Sequence, residues 1–211
     1  SQSIQDEDSV IINAFIDEAY LSCSPKSIYF GATTSGNETQ DQYLRIINAG
    51  SGILTWNIED DAYWLSCSPS SGTDRGEITV SVNASGLSLG LYIATITVSS
   101  PEAYNSPQYV SVNLRVYEPE QESPPFGSLD TPVNGSTVSG SIPITGWALD
   151  DIEVIRLEIK RNSDPVDPPE AIGLDGLVYI GDAVFVEGAR PDVEKSYADY
   201  PLNSRAGWGY M

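Results

Sequence analysis

Apolar and polar residues alternate with a period of two along most of residues 21–117. The clearest run is 109–117, where Val110, Val112, Leu114 and Val116 alternate with Ser111, Asn113 and Arg115. That pattern predicts a half-buried strand with the first set turned inward. Residues 92–98 repeat it through Tyr92, Ala94, Ile96 and Val98, and residues 77–83 through Ile78, Val80 and Val82. Two further runs, 43–48 and 53–58, are joined by Ala49-Gly50-Ser51-Gly52, which reads as a hairpin. Leu44 and Ile46 then face Leu54, Trp56 and Ile58 across a core, with Trp56 as its central aromatic. Residues 31–40 read as a polar loop.

The stretch that orders these strands is 61–76, DAYWLSCSPSSGTDRG. It contains the phrase LSCSPSS, and residues 21–27 carry a near copy, LSCSPKS. In each copy a proline withdraws a backbone donor directly after a short apolar–polar alternation, so the strand must break there. The first strand therefore spans residues 21–30 with a break near Pro25, and Ile28 and Phe30 point inward.

The ordered phrases LSCSPKSIYF, QYLRIINAGSGILTWNI, AYWLSCSPSSG, ITVSVNASGLSLGLYIATITVSS and SPQYVSVNLRV resemble the BACON domain family and its bacterial Ig-like relatives over residues 20–117. The resemblance implies an Ig-like sandwich of seven or eight strands, in secreted or surface proteins, with carbohydrate as a candidate ligand. One departure is visible. Where the family carries an aliphatic residue, this chain has Cys23 and Cys67.

The chain divides accordingly. Residues 1–19 form an extension in which Val10, Ile12, Ala14 and Ile16 line one face of a strand, while Ile11 and Phe15 leave the other face apolar as well. Such a strand needs cover on both sides. It reads as an extra strand of the first sandwich, a link from a preceding domain, or a strand donated to a neighbouring subunit. Residues 20–117 are the sandwich, and 118–125, EPEQESPP, form an acidic, proline-rich linker. From residue 126 a second module begins that resembles another bacterial Ig-like domain. Its expected strands contain Ile142 and Ile144, then Ile155, Leu157 and Ile159, then residues 177–186, followed by a short helix over 191–200 with proline at its first turn. Too few strands precede Met211 to close a second sandwich. The expected class is thus all-β: tandem Ig-like sandwiches, the second incomplete, with either a continuation of the chain or another subunit supplying the rest.

Composition narrows the chemistry. The chain has 211 residues and a net charge of −20, from 30 acidic and 10 basic side chains. Such a surface repels phosphate backbones, so nucleic acid and anionic membranes are poor partners. No run approaches the roughly 20 apolar residues of a membrane span. Histidine is absent, which removes Ser-His-Asp and Cys-His catalysis and His-ligated metals. No cofactor and no metal site are expected. The Asp150-Asp151 pair lacks the 6–8 oxygens that calcium takes, and neighbouring carboxylates such as Asp60-Asp61 cannot face each other across a glycosidic bond. Three sequons, at Asn37, Asn83 and Asn134, match the N-glycosylation pattern and carry no further weight.

Candidate sites remain. Cys23 and Cys67 form either a disulfide, worth about 4 kcal/mol for a loop of this size, or two separate buried thiols. Tyr43, Tyr63, Tyr104 and Tyr109, with Asn105 beside Tyr104, are candidate sugar-stacking residues because they fall in loops or at outward strand positions; the alternative is that they decorate a sheet face. The expectation is a secreted or cell-surface protein of bacterial type, not an enzyme, whose work is structural or adhesive. It would be a subunit of a filament or other assembly joined through strands, and its partners would be other copies of itself, neighbouring surface proteins or glycans. A carbohydrate-binding module and an accessory piece of a larger hydrolase are the alternatives.

Overall fold

The computed structural model describes residues 18–211. The strand-donation candidates Val10, Ile12, Ala14 and Ile16 lie outside the described residues. The first unit is built from β1 (Leu21–Ser24), β2 (Ser27–Thr33), β3 (Gln42–Asn48), β4 (Thr55–Asp60), β5 (Leu65–Ser68), β6 (Ser71–Thr73), β7 (Gly76–Val82), β8 (Gly90–Ser99) and β9 (Gln108–Tyr117). They form two sheets, one ordered β1-β3-β7-β5 and the other β2-β9-β8-β4-β6. All pairs are antiparallel except β2 with β9.

The repeated LSCSP phrase is the device that joins the sheets. Its first copy pairs with β3 before Pro25 and with β9 after it. Its second copy pairs with β7 before Pro69 and with β4 after it. A proline cannot continue a ladder, so in both copies the chain leaves one sheet there and re-enters the other. Counted as one strand each, the two broken strands make this a seven-stranded sandwich.

The inward rows match the alternation. Val110, Val112, Leu114, Ile96, Leu44 and Ile78 are all fully buried. Trp56 is buried as well, and its indole occupies the place where a Cβ on Gly72 or Gly76 would stand, 2.3 and 2.4 Å from the ring. The glycines that close the organising stretch therefore make room for the central aromatic.

Three expectations for this unit change. The runs 43–48 and 53–58 are not a hairpin: β3 and β4 lie in opposite sheets, and residues 49–52 cross between them. Alternation reports which face is buried, and two strands facing each other across a core bury the same pattern as two paired ones. Residues 31–33 are not loop, because β2 runs beside β9 as far as Thr33 opposite Tyr117. The Cys23–Cys67 disulfide is also excluded, and both thiols are free. Cys23 sits on β1 opposite Ile46 and Cys67 on β5 opposite Val80. These are the two edges of a four-stranded sheet, about 14 Å apart at the usual strand spacing, and a bridge needs Cα atoms within about 7 Å. Burial raises both thiol pKa values, that of Cys67 to about 12 with Asp60 adding to the effect, so neither is a ready nucleophile.

The second unit contains β10 (Phe126–Thr131), β11 (Ile144–Leu149), β12 (Glu158–Asn162), β13 (Leu177–Asp182), β14 (Val184–Phe185), a helix α1 (Pro191–Ser196) and β15 (Gly207–Tyr210). Four strands make an antiparallel sheet ordered β10-β11-β15-β14, and β12 with β13 forms a separate ribbon. The strand expected through Ile155 begins only at Glu158, and Ile155 is exposed. Among the described residues this unit is an open sheet with a ribbon. Its buried centre is small, Leu149, Val193 and Ala206, packed by Phe126, Trp147, Tyr197 and Tyr200. Those rings meet mostly edge to face, with centroids 5.2–5.7 Å apart, a favourable arrangement for ring quadrupoles.

Candidate functional site

The two units touch where β2 ends. A Cβ on Gly31 would stand 1.9 Å from the Asp151 carbonyl oxygen, so only glycine allows this approach. Beside it the buried Thr39 Oγ1 accepts the Gly31 N–H at 2.8 Å and lies 2.7 Å from the Ile152 carbonyl oxygen. The Gly31 carbonyl accepts the Thr39 N–H and lies 3.1 Å from the hydroxyl, so the single hydroxyl proton goes to the nearer Ile152 carbonyl. Glu153 adds a second stitch, accepting the Gln40 N–H at 3.0 Å with one oxygen and meeting Arg205 at 3.2 Å with the other.

The acidic pair at residues 150 and 151 serves the same junction. Asp150 Oδ1 accepts the N–H groups of Ile152 and Glu153, and Asp151 Oδ2 accepts that of Ser123 in the linker. These carboxylates order the turn that meets Gly31 and the chain that enters the second unit.

This contact leaves a groove between the units. Its larger hollow, about 520 Å³, is lined by Tyr29 and Tyr43 from the first unit and by Tyr200 and Asn203 from the second, with Gln42 and Arg45 among the polar groups. An adjoining hollow of about 290 Å³ shares Tyr29 and Tyr200 and adds Tyr117, Arg115 and Leu91. The Arg115 guanidinium lies over the Tyr117 ring, 5.5 Å from its centroid. Burial, and then the charge of Asp151, raises the pKa of both Tyr117 and Tyr200. Their phenols therefore remain protonated across neutral pH and can donate hydrogen bonds. The groove offers ring faces beside amide, guanidinium and hydroxyl groups, and its larger hollow is within the size range of ligand clefts.

Of the candidate sugar-stacking residues, Tyr43 alone lines this groove. Tyr63 is 88% exposed in the turn between β4 and β5. Tyr104 packs on Tyr20, centroids 5.5 Å apart, and Tyr109 stands exposed on the outer face of β9. Asn105 is committed to structure: its Oδ1 accepts the Leu21 N–H and its Nδ2 donates to the Leu21 carbonyl, both at 2.9 Å. The amide thus acts as an extra rung for β1. Sequence reasoning missed Tyr29 and Tyr117, although parity puts both outward, next to inward Ile28, Phe30 and Val116. Nothing in the sequence marks Tyr200, because its position depends on how the second unit docks.

Residues 20–111 match the family model of the viral BACON domain. The first unit is a BACON-type domain. No curated protein matches the chain. Solved structures similar to it include PapD-like domain 7 of human CEP192 (TM-score 0.40, 16% identity, 57% of this chain and 99% of that one). The periplasmic chaperone SfaE is another (0.36, 11% identity, 63% and 94%). A Bacteroides ovatus GH5 xyloglucanase matches over 46% of this chain, with a TM-score of 0.36 and 20% identity, and the match spans 19% of the xyloglucanase. Within the described residues no helix is long and apolar enough to cross a membrane.

Proposed function

We propose that this protein is a non-catalytic adhesive module that holds a saccharide in the groove between its BACON domain and its second unit. The observation that carries this reading is the lining of the larger hollow, where Tyr29 and Tyr43 from one unit and Tyr200 from the other enclose about 520 Å³ together with guanidinium donors and the carboxylates of Asp41, Glu187 and Glu194. Ring faces bury the apolar faces of a sugar, while the donors take its hydroxyls. The reading extends the carbohydrate expectation and keeps the protein outside the cell. The viral family description supports the exterior of a virus particle as the setting, in place of a bacterial surface.

A glycan array probed with the intact protein tests this. Wild-type protein is expected to bind a defined set of glycans, and Tyr43→Ala or Tyr29→Ala to weaken that binding at least about tenfold, the equivalent of roughly 1.4 kcal/mol. Tyr63→Ala, outside the groove, is expected to bind like wild type. An array without hits, or a hit lost in Tyr63→Ala and kept in Tyr43→Ala, sinks the reading.

A further inference from the structure

The charges that line the groove are unevenly partnered. In the larger hollow two guanidiniums, Arg45 and Arg205, stand against three carboxylates, Asp41, Glu187 and Glu194. Both guanidiniums are engaged. Arg45 meets Glu77 and Glu187, each at 3.5 Å, and Arg205 meets Glu153 at 3.2 Å while lying over the Phe185 ring. The carboxylates of Asp41 and Glu194 have no ion-pair or hydrogen-bond partner among the described residues. Asp41 precedes β3 in the first unit and Glu194 lies on α1 in the second, so each wall contributes one of them. In the adjoining hollow Arg115 stands with Asp151 and Asp199.

The rest of the chain does not offset this balance. All ten Lys and Arg side chains fall within residues 26–205, and residues 1–17 contain none. The chain carries a net charge of −20, and the field of the whole molecule adds to that of the groove. The phenols on its walls register the same sign. Burial, and then the negative charge of Asp151, holds Tyr117 and Tyr200 above the ordinary tyrosine value.

A free carboxylate accepts hydrogen bonds from a hydroxyl or an ammonium group, and such charge-assisted bonds are among the strong ones. It repels a second carboxylate or a sulfate. An acidic ligand would also have to displace an existing partner to reach a guanidinium. At Arg205 that partner is Glu153, whose side chain is 9% exposed and also accepts the Gln40 N–H, so its displacement would leave a charge buried without its pair. Repulsion of the wrong ligand discriminates as effectively as attraction of the right one.

We infer, on the reading that the groove is the saccharide site, that it takes saccharides free of carboxylate and sulfate groups and turns acidic ones away. Asp41 and Glu194 accept the hydroxyls or amines of the bound sugar from opposite walls, and the same two residues set the rejection.

The test is a glycan array printed with matched sets, each neutral oligosaccharide beside its sialylated and its sulfated form, and probed with the intact protein. Neutral members are expected to bind, and their acidic partners to bind at least about tenfold more weakly in about 0.15 M salt. The gap is expected to narrow in about 1 M salt, where the screening length falls from about 8 to about 3 Å. Asp41→Lys combined with Glu194→Lys is expected to raise the ratio of acidic to neutral binding. Asp41→Asn with Glu194→Gln serves in its place if the lysine variant unfolds at a lower temperature. Acidic members that bind as well as their neutral partners, or better, overturn the inference; if that binding is lost in Tyr43→Ala, the groove still stands as the site. A gap that neither salt nor the charge variants move is one of shape and overturns the inference as well. An array without hits removes the groove reading, and the charge selection falls with it.

Discussion

The two units solve the problem of burying an apolar face in different ways. The BACON domain closes two sheets over one another, and its strands bury whole rows, Val110, Val112, Leu114 and Val116 among them. The second unit has one four-stranded sheet, a detached ribbon and a centre of three buried residues braced by four aromatic rings. Burial of rows is cooperative and self-contained. A ring cluster on an open sheet buries less, and here its rings are only partly covered. The first unit has the closed core, and the second meets it at Gly31, Thr39 and Glu153.

The largest expected effect breaks the scaffold itself. Leu114→Ala empties a fully buried position in the centre of β9 and should cost about 2–5 kcal/mol, measured by denaturant unfolding. The equivalent truncation at the half-buried Phe126 should leave the unfolding of the BACON domain unchanged. Equal losses for both variants in a single transition would show that the units are one cooperative body.

Next in size is a change that separates the units and leaves each intact. Gly31→Val places a side chain against the Asp151 carbonyl, and overpacking of this kind costs about 1–3 kcal/mol. The expected outcome is an unchanged β-sheet signature by circular dichroism and a larger radius of gyration by X-ray scattering. An unchanged radius would mean that the contact at Gly31 does not set the arrangement.

The smallest effect concerns acid. In the second unit Asp167 and Asp192 are held at about 2 by hydrogen bonds from Arg161 and Arg190. In the BACON domain the one depressed carboxylate, Glu102, is lowered by the Thr55 hydroxyl. A folded-state pKa below the unfolded value stabilises above that unfolded value, near 4, and the stabilisation is lost as pH falls through the folded value. Asp192 is exposed and Asp167 is partly buried in its ion pair with Arg161, and each acts on its own surroundings. Amide shifts near residues 161–167 and 190–192 should change between pH 4 and 2 while those of β9 stay fixed. Simultaneous change in both places would contradict a boundary between the units.

The same comparison explains what could be read from the sequence. Parity alone placed the inward rows of β7, β8 and β9, because each of those strands is solvated on one face and buried on the other. The breaks at Pro25 and Pro69 were legible as well, since proline marks where a ladder stops. The sheet to which each piece belongs was not legible, so β3 and β4 read as a hairpin. In the second unit alternation failed at Ile155, an exposed residue in a segment whose packing is set by the ring cluster. The groove was legible at Tyr43 and hidden at Tyr200, because a site between two units is written in neither unit's periodicity.

The central claim is that the working surface is the groove between the units. Its most direct test is a nuclear magnetic resonance titration of the intact protein with the strongest glycan from the array. The account predicts that resonances of Tyr29, Tyr43, Tyr117 and Tyr200 shift together and saturate at one ratio, while those of Tyr63, Tyr104 and Tyr109 stay in place. Shifts confined to Tyr63, Tyr104 or Tyr109 would contradict it.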